Sequence, residues 1–296
     1  MTEPRNFYIF GSGISFSVSP TIHNTGFTHH ALPHTYTIHE SASIDEVAHL
    51  IHAPSFGGAS VTMPHKLQVH KFCTEVSETA RAIGAINTLI PICNGNGERS
   101  IIGDNTDWSG LYVIIKKYAT STSGQGQRNS LKAGLVIGAG GASRAALYAM
   151  YKAGVEHIYL VNRTQSIAEK VRGDFKGTFN ITVIPDLSGS SLPESPGVII
   201  GTVPAETTSE EQFGSLFKER SKGLCIDMSY KPRQTPLLTV AQRHEGWATV
   251  TGVEVLLAQA FDQFKLWTSL EPPREEMIEA VLAREVGVGR GSLSML

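Results

Sequence analysis

The 296-residue sequence has little cysteine, little charge of either sign in excess, and no long apolar run. Its three cysteines, Cys73, Cys93 and Cys225, are odd in number and scattered. They form neither a metal-ligand spacing nor a disulfide framework, which suits a reducing compartment and excludes a cysteine-built zinc site. A formal net charge of −2 removes the electrostatic footprint expected of a nucleic-acid or anionic-membrane partner. No apolar stretch approaches a bilayer span. Met1 to Asn6 leads straight into a strand pattern without the apolar segment of a secretory signal. The final Ser294-Met295-Leu296 lacks the basic residue of a peroxisomal address. The expected location is the cytoplasm. What remains is an ordinary globular composition, 41% hydrophobic and 18% charged, long enough for one large or two ordinary domains.

The most informative stretch is Leu135-Val136-Ile137-Gly138-Ala139-Gly140-Gly141-Ala142-Ser143-Arg144-Ala145. An apolar run enters a glycine-rich turn and an alanine-rich helical pattern leaves it, the strand–turn–helix order of a dinucleotide-binding unit. Glycines let backbone approach a pyrophosphate, and the helix N-terminus faces the anion. The third position of a strict G-x-G-x-x-G is Ser143. By itself the turn is equally compatible with a steric role for its glycines.

Strand and helix patterns alternate along the chain, implying parallel βαβ units. Phe7 to Phe10 reads as a strand, and Pro20 suits the first turn of a helix with Ser19 as N-cap. Thr35 to His39 reads as a strand and Ile44 to His52 as a helix. Ser60 to Lys66 is a strand leading into a proline-started helix, and Ser77 to Ile83 is a helix ending at Gly84. Asn94-Gly95-Asn96-Gly97 is a hairpin-type turn, and Trp108 to Tyr118 is helical. The stretch from Ala119 to Lys132 is a polar linker. After the glycine-rich unit come strands at His157, Ile181, Val198, Leu224 and Ala248. A long helix follows from Val253 and a last one from Pro273 to Arg284, with a frayed tail from Val286.

About twenty residues past the glycines, an NAD site places a carboxylate on the ribose hydroxyls. Here the strand ends in Asn162-Arg163-Thr164. A carboxylate would repel a 2′-phosphate and an arginine can pair with it, so this ending ranks NADP above NAD. The alternative is a surface arginine. Lys66 and Asp107 each follow a strand end; a lysine near a carboxylate can exchange a proton with an alcohol oxygen. Taken singly, Lys66 reads equally as a solvated charge and Asp107 as the N-cap of the helix at Trp108. Ser17 and Ser19 likewise read as capping residues.

Eight segments in order resemble the shikimate/quinate dehydrogenase family. Ser17-Val18-Ser19-Pro20 matches S-x-S-P; Val61 to Lys66 matches V-T-x-P-x-K; Gly84 to Leu89 matches G-A-x-N-T-L; Gly103 to Asp107 matches G-D-N-T-D. Gly138 to Ala142 matches G-A-G-G-A and Asn162-Arg163-Thr164 matches N-R-T. Asp227, Tyr230, Pro232, Thr235, Leu237 and Leu238 match D-x-x-Y-x-P-x-x-T-x-L-L, and Gly252 to Gln259 match G-x-x-x-L-x-x-Q, with Trp267 beyond.

The resemblance implies an α/β fold: a substrate-binding domain with a mostly parallel sheet over residues 1–110, completed by helices in 251–296, and a Rossmann-like domain over 111–250. The active site is expected between them. It implies that Ser17 and Ser19 hold a substrate carboxylate, that Thr62, Asn87, Tyr230 and Gln259 bind ring hydroxyls or line the pocket, and that Lys66 and Asp107 are the catalytic pair. Gly138, Ala139, Gly140, Gly141, Ala142, Asn162, Arg163, Thr164, Thr202, Val203 and Gly252 would hold the nucleotide, and no metal is implied. The expected reaction is hydride transfer between NADP(H) and the 3-position of shikimate or 3-dehydroshikimate, by a monomer or homodimer. Alternatives are a quinate dehydrogenase using NAD or NADP, a secondary-metabolism relative acting on another cyclic hydroxy acid, and a non-catalytic quinate or shikimate sensor.

The chain departs from the family pattern at several positions. Ser60 stands where the family usually has Asn, Phe16 where it has His, Trp108 where it has Gly, and Val255 where it has Met. Ile167 replaces a second basic residue after N-R-T. Ser60 and Trp108 resemble the terminal dehydrogenase domain of pentafunctional shikimate-pathway polypeptides.

Overall fold

β-Branched and aromatic residues run continuously through the strand segments, and in a computed structural model they assemble into two six-stranded sheets. The structure describes residues 3–93, 95, 98–123, 131–188, 191–219 and 221–284. Residues 94, 96 and 97 of the expected turn, residues 124–130 of the polar linker and the tail from Val286 lie outside the described residues, while the linker's first residues, 119–123, instead continue the helix that was expected to end at Tyr118. The chain divides into two compact units, one running to Thr106 and resuming at Gln259, the other running from Asp107 to Ala258.

The first unit carries β1 (Asn6–Gly11), α1 (Ser19–His29), β2 (Thr35–Glu40), α2 (Ala48–His52), β3 (Phe56–Val61), β4 (Glu75–Val76), α3 (Glu78–Ile83), β5 (Thr88–Cys93) and β6 (Arg99–Asp104). Its sheet order is β2-β1-β3-β5-β6-β4. β1 pairs in parallel with β2 and β3, and β4 with β6, while β5 is antiparallel to both its neighbours. The β5–β6 ribbon interrupts an otherwise parallel sheet because a short connection can join only antiparallel strands.

Three local readings of the sequence change here. The helix expected over 44–52 is a 3₁₀ turn, Ile44–Val47, followed by the short α2. The proline-started helix after β3 is a pair of 3₁₀ turns, His65–Leu67 and Val69–Phe72, so Lys66 sits in a tight irregular loop. α1 also begins at Ser19 itself, with Val18 as a cap that makes no side-chain bond. The Ser17 hydroxyl instead accepts from the Ser19 N–H at 3.3 Å.

The second unit carries α4 (Asp107–Ser123), β7 (Ala133–Ile137), α5 (Gly141–Ala153), β8 (His157–Val161), α6 (Gln165–Asp174), β9 (Ile181–Val183), β10 (Val198–Gly201), β11 (Gly223–Asp227), α7 (Pro236–Gln242) and β12 (Trp247–Val250). Its sheet is wholly parallel in the order β12-β11-β10-β7-β8-β9. That is the doubly wound order, with the strand order reversing between β7 and β10 beside the glycine-rich turn. Ile137, Ile199, Cys225 and Leu237 pack in one apolar cluster under the sheet. α8 (Gly252–Thr268) starts in the second unit and ends in the first, and α9 (Arg274–Arg284) follows it. No helix among the described residues is long and apolar enough to cross a membrane.

Candidate active site

In the first unit three of the singled-out segments are tied to one another by their backbones. The Ile86 N–H donates to the Lys66 carbonyl at 2.9 Å, joining the lysine loop to the Gly84–Leu89 segment. The Asn87 N–H donates to the Asp104 carbonyl at 3.0 Å, and Asn105 Nδ2 donates to the Ala85 carbonyl at 2.9 Å. The loop before Asp107 is therefore anchored to the same segment. On the other side of Lys66, the buried His65 ring sits 2.9 Å from the Ser41 hydroxyl through Nε2. Lys66 itself is half-buried.

Asn87 and Gln259 meet at the centre of this arrangement. Asn87 Oδ1 accepts from the Thr106 N–H at 2.7 Å, which fixes the orientation of its amide. Its Nδ2 then donates to Gln259 Oε1 at 3.1 Å and to the Thr106 hydroxyl at 3.0 Å. The Thr106 hydroxyl donates to the same Gln259 oxygen at 2.9 Å. Both amides are almost fully buried, at 3% and 4% exposure, so every one of these bonds is made away from water and leaving one unmade would cost about 1–3 kcal/mol. Ser17 and Ser19 are buried together, their hydroxyls 3.2 Å apart. Thr62 is half-buried just past β3, and its N–H donates to the Phe10 carbonyl.

Asp107 opens α4 in the second unit, directly after Thr106, and is 5% exposed. The next residue, Trp108, packs edge-on against Tyr148 of α5 at 5.3 Å, so the side chain that replaces the family's glycine ties the first turn of α4 to the helix that leaves the glycine-rich turn. Tyr230 is half-buried after β11.

The glycine-rich turn itself is built around Gly138. Its φ of +113° is a left-handed-side conformation, and a Cβ there would meet Thr202 Oγ1 at 2.4 Å, so only glycine fits. Ser143 has a role of its own. Its hydroxyl accepts from the Gly140 N–H at 3.0 Å and lies 2.6 Å from the Thr202 hydroxyl, which donates to the Ile137 carbonyl at 2.8 Å. The side chain at the third motif position thus caps α5 and bolts the turn to the end of β10. Ala139 is buried beneath the turn, while Gly140, Gly141 and Ala142 remain reachable from solvent. Val203 follows Thr202 and is half-buried. After β8, Asn162 Nδ2 donates to the Thr164 carbonyl at 2.9 Å, and Arg163 and Thr164 are exposed. Gly252, at the start of α8, lies against the Met228 and Ser229 carbonyls, which a Cβ would meet at 2.7 and 2.6 Å.

Two groups near these residues titrate far from their ordinary values. Burial pushes the Asp227 carboxyl at the end of β11 up to about 6 despite bonds from the Ser229 N–H and the Thr235 side chain. Burial drives His23 down to about 3, so the ring is neutral; it stacks on Tyr36 at 4.6 Å and lies 4.9 Å from Trp267. Sequence reasoning missed Gln263, four residues past Gln259 on α8. Its signal was a polar residue at the spacing that repeats one helix face.

A parallel doubly wound sheet with a glycine-rich turn at the strand-order switch defines the second unit as a Rossmann-like dinucleotide-binding fold, and the first unit is a mostly parallel α/β fold. Three family models match along the chain: the shikimate dehydrogenase substrate binding domain over residues 9–89, shikimate / quinate 5-dehydrogenase over 122–237, and the shikimate 5'-dehydrogenase C-terminal domain over 252–282. The chain belongs to the shikimate/quinate dehydrogenase family.

The pentafunctional AROM polypeptide of Malassezia globosa is 43% identical over 277 residues, covering 91% of this chain and 17% of that protein. That of Schizosaccharomyces pombe is 39% identical over 289 residues, covering 94% of this chain and 18% of that protein. The chain therefore spans less than a fifth of the length of these curated relatives. Among solved structures, the dehydroquinate dehydratase and shikimate dehydrogenase portion of S. pombe AroM is 37% identical with a TM-score of 0.74, covering 95% of this chain and 53% of that one. Shikimate 5-dehydrogenase from Thermus thermophilus, solved with NADP(H) and shikimate, is 25% identical with a TM-score of 0.69, covering 94% of this chain and 99% of that one.

Proposed function

We propose that this chain interconverts shikimate and 3-dehydroshikimate with NADP(H), the first unit binding the cyclic acid and the second the nucleotide. The observation that carries the reading is the buried junction of Asn87, Thr106 and Gln259, flanked by the Lys66 loop on one side in sequence and Asp107 on the other. A polyol acid has little apolar surface to bury, so its affinity must come from convergent hydrogen bonds, which this junction supplies.

The residues of the glycine-rich turn fit a dinucleotide. Gly138 takes a φ of +113° against Thr202, a Cβ at Gly140 would meet nothing within 4 Å, and the α5 N-terminus, where first-turn N–H groups favour an anion, follows Gly140. Gly138, Ala139, Gly140, Gly141 and Ala142 would cradle the pyrophosphate, Thr202, Val203 and Gly252 the nicotinamide side. Arg163, exposed beside Asn162 and Thr164, would pair with a 2′-phosphate, which favours NADP. The nicotinamide, when bound, supplies the acceptor for a hydride from the ring carbon bearing the reacting hydroxyl. In the oxidative direction Lys66 Nζ takes the hydroxyl proton as the carbonyl forms, and returns it in reduction. Asp107 holds the lysine and a substrate hydroxyl. Ser17 and Ser19 bind the carboxylate, while Thr62, Asn87, Tyr230 and Gln259 bind or enclose the ring hydroxyls.

The test is a steady-state assay of shikimate and quinate, each with NADP+ and NAD+. Turnover is expected with shikimate and NADP+, with kcat/KM at least tenfold above any other pair. Lys66→Ala should lower kcat by about 10³-fold, within the range for loss of a general acid–base, while leaving NADPH affinity within twofold. Binding of shikimate without turnover would refute the enzyme reading, and near-normal turnover in the Lys66 variant would remove that residue from the mechanism.

A further inference from the structure

Asp227 is a buried acid to which the reaction gives no task. It ends β11 beside Gly201, the last residue of β10. A Cβ at Gly201 would come to 3.1 Å from Asp227 Cγ and Oδ1 and to 2.7 Å from Leu237 Cδ2, so glycine at that strand end leaves room for the carboxyl. Asp227 Oδ1 accepts from the Ser229 N–H at 3.0 Å. The Thr235 hydroxyl bonds to the same carboxyl while accepting from the Leu238 N–H at 3.3 Å as N-cap of α7. A hydroxyl has one proton, and that of Thr235 goes to Asp227. One carboxyl thus fastens both ends of the 228–235 loop.

The loop is tied in turn to two segments that would hold the nucleotide, all within the second unit. The Met228 N–H donates to the Gly201 carbonyl at 2.9 Å, and the Ala205 N–H donates to the Ser229 hydroxyl at 3.3 Å, which joins the loop to the stretch 202–205. Gly252, at the start of α8, lies against the Met228 and Ser229 carbonyls more closely than any Cβ allows. The strand order says which end of a dinucleotide these segments serve. In a doubly wound sheet the ligand lies across the carboxyl ends of the strands at the order switch. The glycine-rich turn after β7 stands at that switch, with β8 on one side and β10 and β11 on the other. A 2′-phosphate on Arg163, just past β8, places the adenosine half there and leaves the nicotinamide half to β10 and β11.

We propose that Asp227 is a positioning residue for the nicotinamide half of the nucleotide site, holding the 228–235 loop so that the stretch 202–205 and the start of α8 are preset for that half. A carboxyl suits the task because a single group bonds the Ser229 N–H and the Thr235 hydroxyl at once. A loop fixed beforehand need not be ordered by its ligand, which is where the affinity comes from. The adenosine half, on the far side of the switch, is outside the reach of these bonds. The inference rests on the reading of the glycine-rich turn and Arg163 as a nucleotide site.

The test measures dissociation constants by isothermal titration calorimetry for NADP+ and for adenosine 2′,5′-bisphosphate, which carries the adenosine half without the nicotinamide. Asp227→Ala removes both bonds; it should weaken NADP+ about tenfold and leave adenosine 2′,5′-bisphosphate within about twofold. Asp227→Asn keeps an oxygen for the Ser229 N–H and turns an N–H toward the Thr235 hydroxyl, so both ligands should bind within about twofold of the wild type. Ser229→Ala removes only the bond from Ala205 and should weaken NADP+ about threefold. A side chain that merely supports the fold would lower Tm and weaken both ligands together. Equal weakening of the two ligands in Asp227→Ala, or unchanged NADP+ affinity, overturns the proposal; should that variant not fold, unchanged NADP+ affinity in Ser229→Ala does so. Asp227→Asn as weak as Asp227→Ala would put the charge in place of the two bonds and overturn it as well. A wild type that binds neither ligand refutes the nucleotide reading itself, and the inference falls with it.

Discussion

Asp227 gives the sharpest quantitative expectation. Its carboxyl is 4% exposed at the end of β11, and its folded value of about 6 stands against an ordinary 3.8. The folded protein thus holds the proton more tightly than the unfolded chain. Unfolding releases that proton between pH 3.8 and about 6, so this group's contribution is fully present below 3.8 and is lost as pH rises through about 6. The gap corresponds to about 3 kcal/mol. Asp227→Asn cannot ionise and keeps an oxygen for the Ser229 N–H, which now donates at 3.0 Å. Every other carboxylate is common to both proteins and cancels in the difference. Guanidinium unfolding followed by circular dichroism and tryptophan fluorescence, at steps from pH 4 to 8, should show the variant gaining about 3 kcal/mol on the wild type between pH 4 and 7 and then a plateau. A difference that stays flat would mean that Asp227 has the same proton affinity folded and unfolded, and one that moves toward the wild type as pH rises would mean that the fold stabilises the anion; either result would sink the argument from burial.

Three further outcomes follow from the second unit. Gly138→Ala forces a side chain into a +113° φ and against the Thr202 hydroxyl, so the KM for NADP+ should rise at least tenfold with far less change in the KM for shikimate; equal changes in both would show that the turn does not contact the nucleotide. Arg163→Ala should raise the KM for NADP+ about tenfold and leave that for NAD+ within twofold, and a parallel loss with both would refute pairing to a 2′-phosphate. Trp108→Gly removes the contacts with Tyr148 and Tyr112 from the first turn of α4 and should cost about 2 kcal/mol, read as a Tm lower by several degrees; an unchanged Tm would show that the indole adds nothing to α4–α5 packing.

Much of the architecture was legible because its signals are local. A strand, a glycine-rich turn and an alanine-rich helix must lie end to end, so Leu135 to Ala145 announced the second unit. The C-terminal Gly84 and the proline at position 20 marked their helices in the same way. The irregular loop at Lys66 was not legible, because its two 3₁₀ turns carry no periodicity to distinguish them from an α-helix. Ser143 was read as a missing glycine, because its partners, Gly140 and Thr202, are identified only once β10 is laid beside β7.

The site divides along the same line. Asn87 and Gln259 are 172 residues apart and were linked by resemblance, since nothing in spacing brings them together. Ser60 shows what spacing hides. In the sequence it is only a serine standing where the family usually has asparagine. In the fold its hydroxyl donates to Gln263 Oε1, 203 residues later on a distant helix. A short side chain in a pocket motif therefore does not by itself measure what a pocket has lost. What counts is whether the group behind it takes up the hydrogen bonds, and here α8 does so with Gln263, one helical turn from Gln259.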